Sequence, residues 1–230
     1  MHPLEHFHYG QLVHHGQAKG DARVLARSQG ITDEHITLAL RNAPITAHPS
    51  AANLSWAIVR GDKSAPYILS RAVRAESGHT TQQFILLPTD VYRSLQGNIS
   101  AFLPFIMKPL PVYDRLGDTL EPLQLDTSQL DISTQVDVLL DLLTFTKDKP
   151  RDILQPLLSG IVKGVPLVVI NGPDDVTQRT RFVQGLMTLL PSSTRFGVTF
   201  ATYLTDEAST AEISCQIAFR EGRTPEGVAV

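Results

Sequence analysis

Apolar and polar positions alternate with a period of two in some stretches of the chain and recur at helical spacing in others. Residues 6–13, HFHYGQLV, read as a strand. The following HHGQAKGDARVLARSQG is rich in glycine and reads as a surface excursion with a short helical piece around ARVLARS. ITDEHITLALRNAP reads as a helix capped by Thr32. His35 stands at its N3 position in place of the preferred Glu or Gln, and Leu38, Ala39 and Leu40 supply an apolar patch. LSWAIVR, YILSRAVRA and TQQFILLP then follow as three successive strands, an antiparallel meander over residues 54–88. From a Thr89 cap, DVYRSLQGNISAFLPF reads as one helix, with Val91, Leu95, Ile99, Phe102 and Leu103 at helical spacing.

From Lys108 to about Ser133 the periodicity fails, and this proline-containing stretch reads as a connector with one short strand. STQVDVLLDLLTFTKDKP and RDILQPLLSGIVKG read as helices, the second with Pro156 inside it and Gly164 at its end. VPLVVI, residues 165–170, is almost wholly apolar and reads as a strand buried on both faces. A helix is expected over residues 176–190. FGVTFATYL and AEISCQIAFR are expected to form a hairpin, and EGRTPEGVAV a flexible tail.

The expected fold class is α/β or α+β: a mixed β-sheet with packed helices and an N-terminal antiparallel meander. One division is a meander-plus-helix lobe (1–107), a connector (108–132), a helix-helix-strand-helix-hairpin lobe (133–220) and a tail (221–230). The other is a single compact domain. No internal repeat or heptad run is present.

Composition narrows the function classes. The chain has 230 residues, 42% of them hydrophobic, which suffices for a sizeable core. The net charge of −3 leaves no basic track for phosphates, so no nucleic-acid partner is expected. The only cysteine, Cys215, excludes an internal disulfide and fits a buried core position. The N-terminus does not read as a signal peptide and no apolar run is long enough to span a bilayer, so no membrane partner and a cytoplasmic location are expected.

The candidate chemistry is sparse. In NGPDD, residues 171–175, Asp174 and Asp175 follow a buried strand and begin a helix. The ordinary reading is a turn and an N-cap. The functional reading is a metal-binding or general-base carboxylate at the end of a buried strand. His6 and His8 share one face of a strand and are the other metal candidates. Arg60, Arg71 and Arg74 lie on adjacent strands, either as a patch for an acidic partner or as a solvent face. Trp56 marks a binding surface if it is exposed. No phosphate loop, dinucleotide fingerprint or nucleophile elbow occurs, so no catalytic residue and no cofactor are assigned.

HYGQLVHHGQAKGDARVLARSQGIT and GVPLVVINGPDDVTQRTRFVQGLMTLLPSSTRFGVTFATYLTD together resemble the N-terminal domain family of bacterial GTPase-associated protein 1. The second block carries the family's apolar strand, acidic helix start, LLALLP-like segment (here LMTLLP), arginine (Arg195) and LSFST-like strand (here VTFAT). The family's turn usually has Gly-His; here Gly20 precedes Asp21, and the family's Leu-Leu is Val24-Leu25. The resemblance implies a non-catalytic interaction or adaptor module in a conflict-type (defence) system, with a small GTPase or a protein encoded near it as partner. The alternatives are a metal-dependent hydrolase using the acids and histidines, and a small-ligand or nucleotide sensor, for which a deep cleft is expected.

Overall fold

Most of the predicted strands join one sheet. The structure is a computed structural model that describes residues 1–43, 47, 54–61, 65–75, 78–127, 132–145, 150–170, 172–205 and 215–221. The first strands are β1 (His2–Leu4), β2 (His6–His14) and β3 (Gln17–Ser28), followed by helix α1 (Asp33–Asn42). The meander is β4 (Leu54–Arg60), β5 (Tyr67–Arg74) and β6 (Thr80–Leu87). After it come α2 (Thr89–Ser94), a 3-10 turn (Ile99–Phe102) and α3 (Leu103–Ile106). The connector carries β7 (Asp118–Leu120) and β8 (Leu123–Leu125). The C-terminal part contributes α4 (Ile132–Phe145), α5 (Pro150–Val162), β9 (Leu167–Ile170), α6 (Val176–Leu189), α7 (Ser192–Arg195), β10 (Phe200–Ala201) and β11 (Ile217–Arg220).

The main sheet runs β7-β3-β2-β6-β5-β4-β10-β11-β9, and β1 pairs with β8 in a separate ribbon. Its centre, from β3 to β10, is antiparallel. Both ends are parallel: β7 on β3, and β11 between β10 and β9. The fold is thus mixed α/β, with the antiparallel meander as expected. Because β4 pairs with β10 and β1 with β8, the hydrogen-bonded framework crosses the division proposed from sequence.

Each face of the sheet has its own core. Trp56, Ile58, Leu69, Ile85 and Leu87 pack with the helical segments α2 through α6, while Ala57, Val59, Ile68, Phe84 and Leu86 pack with α1. Cys215 is buried in the second core, and burial pushes its thiol up to about 12. α1 is capped as expected: Thr32 accepts from the His35 N–H, and the His35 ring accepts in return from the Thr32 N–H.

Five expectations are corrected, the first being that the connector carries two short strands, β7 and β8, rather than one. ARVLARS is strand, not helix, because His15 and Gly16 both take positive φ (50° and 79°), the backbone of a two-residue hairpin turn that returns the chain along β2. The single helix after Thr89 is broken at Gln96 and Gly97, whose φ values of 50° and 90° leave helical space, and its N-cap is Pro88. β9 is half-buried rather than covered on both faces, since it lies at the end of the sheet order. β10 and β11 run parallel rather than as a hairpin; residues 206–214 between them lie outside the described residues, as does the expected tail at 222–230.

Candidate functional site

Strand register builds a polar row into an apolar face. Trp56 on β4 faces Arg71 on β5, Arg71 faces Gln83 on β6, and Gln83 faces His8 on β2. Directly paired residues share a face of a sheet, so the four side chains project to the same side. His6, two residues before His8, joins them. Within β5 the same face carries Tyr67, Leu69 and Val73, so Arg71 is a cation set into a hydrophobic stripe.

These side chains line a cavity of about 480 Å³. Its floor is His6, His8, Arg71 and Gln83, and its walls come from α3 and the chain after it (Phe105 to Pro111) and from Leu120, Glu121 and Leu123. The segment expected to be a connector therefore closes a pocket over the sheet.

Arg71 is 3% exposed. Its Nε donates to Gln83 Oε1 at 2.7 Å, and its Nη1 donates to the carbonyls of Ile106 (2.7 Å) and Lys108. All three acceptors are neutral, and no carboxylate pairs with it among the described residues. The last carbonyls of α3 have no partner within their helix, so the guanidinium also ties that helix end to the sheet. Burial lowers the guanidinium pKa to about 10, so it remains charged at neutral pH. Nη2 has no hydrogen bond to any described residue.

The Arg71 contact fixes a relay of hydrogen bonds. With Gln83 Oε1 accepting from Arg71, Gln83 Nε2 donates to His6 Nδ1 at 2.9 Å. His6 then carries its proton on Nε2 and donates it to the Glu121 carbonyl at 2.9 Å. Burial lowers the His6 pKa, which fits this neutral tautomer. His8 is lowered further, to about 3, first by burial and then by the neighbouring His6 and Arg71. Its Nδ1 lies 2.6 Å from the Tyr113 hydroxyl. Burial holds Tyr113 as a phenol, with its pKa pushed up to about 12, and in the tautomer in which that hydroxyl donates, His8 Nε2 carries the proton. That Nε2 is buried and has no hydrogen-bond partner among the described residues. A buried polar group without a partner costs roughly 1–3 kcal/mol.

The remaining candidates lie elsewhere. Asp175 caps α6, accepting from the Gln178 N–H at 3.0 Å, and Asp174 is exposed beside it; Asn171 is outside the described residues. Between this corner, which follows β9, and His6 and His8 on β2 stand β11, β10, β4, β5 and β6. At roughly 4.8 Å per strand this is about 29 Å, so the acids and histidines do not converge. No group of three or more His, Cys, Asp or Glu side chains suited to a metal occurs among the described residues. The corner is held instead by the buried Arg179, which donates to the carbonyls of Pro173 and Thr202 and lies over the Phe219 ring.

The three arginines do not form a patch. Arg74 is exposed and three residues from Arg71, hence on the other face of β5. Arg60 stacks on Tyr67 with its guanidinium carbon 4.8 Å from the ring centre. Trp56 is fully buried, with its indole N–H donated to Thr180 Oγ1 at 3.0 Å, so it offers no surface to a partner. Gln83, Lys108 and Tyr113 were not singled out from sequence. The readable signal was period-two phasing: Arg71 and Gln83 fall in register with Tyr67, Leu69, Ile85 and Leu87. No family model matches the chain, and no curated protein is similar to it.

Proposed function

We propose that the chain is a ligand-binding module whose pocket receives a small anionic molecule, in keeping with the sensor alternative raised by the sequence. One observation carries this reading. Arg71 is a buried, charged guanidinium in a cavity wall with only neutral partners and one nitrogen uncommitted. Burying a charge without a counter-ion is costly, and an anion in the cavity offsets that cost. With Tyr113 donating to His8 Nδ1, the His8 Nε2–H supplies a second donor. The test is calorimetric titration of the full chain with a panel of small carboxylates and phosphate monoesters, repeated on Arg71→Met with its fold checked by Trp56 emission. Saturable binding of an anion that Arg71→Met abolishes supports the reading. Binding by no anion, or equal binding by a folded Arg71→Met, contradicts it.

A second reading is the adaptor role implied by the resemblance to the GTPase-associated family, with a protein partner such as a small GTPase or its neighbour. Leu140 and Leu143 on α4 and Ile153 and Val162 on α5 are exposed, which favours contact with another surface. Light scattering and a pulldown from the native host test it. A stoichiometric partner whose capture is lost in Leu140→Ser/Leu143→Ser supports the adaptor role, and a clean monomer without partners opposes it.

A further inference from the structure

The chemistry of the pocket walls narrows the anion, granted that the pocket takes one. We propose that its ligand is a monocarboxylic acid with an apolar body, the carboxylate lying between Arg71 and His8. The deep donors are few. Nη1 and Nε of Arg71 are committed to the Ile106 and Lys108 carbonyls and to Gln83, and both nitrogens of His6 are engaged. Arg71 Nη2 and His8 Nε2 remain as the lining nitrogens without a partner among the described residues, and in the tautomer in which Tyr113 donates to His8 Nδ1 these two donors match the two oxygens of a carboxylate.

A phosphate presents more oxygens and is ordinarily cradled by successive backbone N–H groups or a helix N-terminus. Here the wall segment runs Lys108-Pro109-Leu110-Pro111, and its two prolines have no N–H to give. α3 meets Arg71 with its carbonyl end, the wrong pole for an anion. Lys108 is an exposed cation in the lining, but the exposed Glu121 stands there too and disfavours a second negative charge. The rest of the wall, including Phe105, Leu110, Leu120 and Leu123, is apolar and suits a hydrocarbon or aromatic body.

The experiment titrates the wild-type full chain separately with sodium hexanoate, hexanamide and hexyl phosphate, following heat and the imidazole ¹⁵N–¹H signals of the histidines. Hexanoate is expected to bind about tenfold or more tighter than hexanamide, since one charged hydrogen-bonded contact is lost with the amide. It is also expected to bind tighter than hexyl phosphate and to shift the His8 Nε2–H signal to saturation, with the exposed His14 and His15 unmoved. Tighter binding of hexyl phosphate with the same His8 shift overturns the carboxylate assignment and leaves the anion pocket standing. Equal binding of hexanoate and hexanamide overturns both, as does no binding of any of the three. Arg71→Lys is a second arm. It keeps a positive charge but cannot hold the acceptors and the ligand together, so a folded variant should lose most of the hexanoate affinity. Unchanged affinity there also overturns the proposal.

Discussion

Arg71 shows how one residue sets the chemistry of its surroundings. It orients the Gln83 amide, which fixes the His6 tautomer, and it accepts no counter-ion from the described chain. Replacing it with alanine leaves Gln83 Oε1 and the Ile106 and Lys108 carbonyls without their donor. Arg71→Ala should therefore lower stability by about 2–4 kcal/mol, measured by urea unfolding on Trp56 fluorescence. His8 makes a pH prediction. Its folded-state pKa of about 3 lies below the ordinary 6.5, so between these values the unfolded chain binds the extra proton. Stability is thus complete above about pH 6.5 and falls as pH drops toward 3, by up to about 1.4 kcal/mol per pH unit from this group. His6 is lowered in the same direction and adds to the loss. Unfolding curves from pH 7 to pH 4 check this, and His8→Phe should flatten the slope. The histidines were visible in the sequence as a same-face pair. Their burial was not, because the segment that covers them, with Tyr113 and Glu121 in hydrogen-bond contact, lies more than a hundred residues away.

At the scale of elements, the strands were legible wherever apolar alternation met a turn signal, as in β4, β5 and β6. β3 was missed because its middle, KGDAR, is exposed and polar, and only the His15-Gly16 turn marks it as the return arm of a hairpin. β10 and β11 were legible as strands but not as parallel partners, since their order depends on β9 docking beyond them. The NGPDD corner behaves as an element terminus. Asp175→Ala should cost about 1 kcal/mol through the lost cap of α6, and Asp174→Ala less than about 0.5 kcal/mol. A Cβ on Gly172 would lie 2.8 Å from Phe219 Cδ1, inside a buried aromatic contact. Gly172→Ala should therefore destabilise by about 1–3 kcal/mol. Thermal unfolding of the three variants checks the ranking. If the corner instead held a metal, Asp174→Ala would abolish a metal-induced rise in Tm while leaving the apo value alone.

At the scale of the whole molecule, one sheet carries two different ends. Near β2 and β5 the 108–123 segment folds back over the sheet and closes a cavity; past β10 the parallel strands and α6 form a corner locked by Arg179. Sequence periodicity reads elements one at a time, and a pocket made from β2, β5, β6 and a proline-containing connector has no local signature. No helix among the described residues is long and apolar enough to cross a membrane. The measurement that tests the pocket most directly is the histidine imidazole NMR titration of the full chain with sodium hexanoate. If Arg71 and His8 receive an anion, the His8 Nε2–H signal shifts and saturates while those of His14 and His15 stay in place. If His8 does not move, or all histidines drift together with added salt, the pocket does not take a carboxylate between Arg71 and His8.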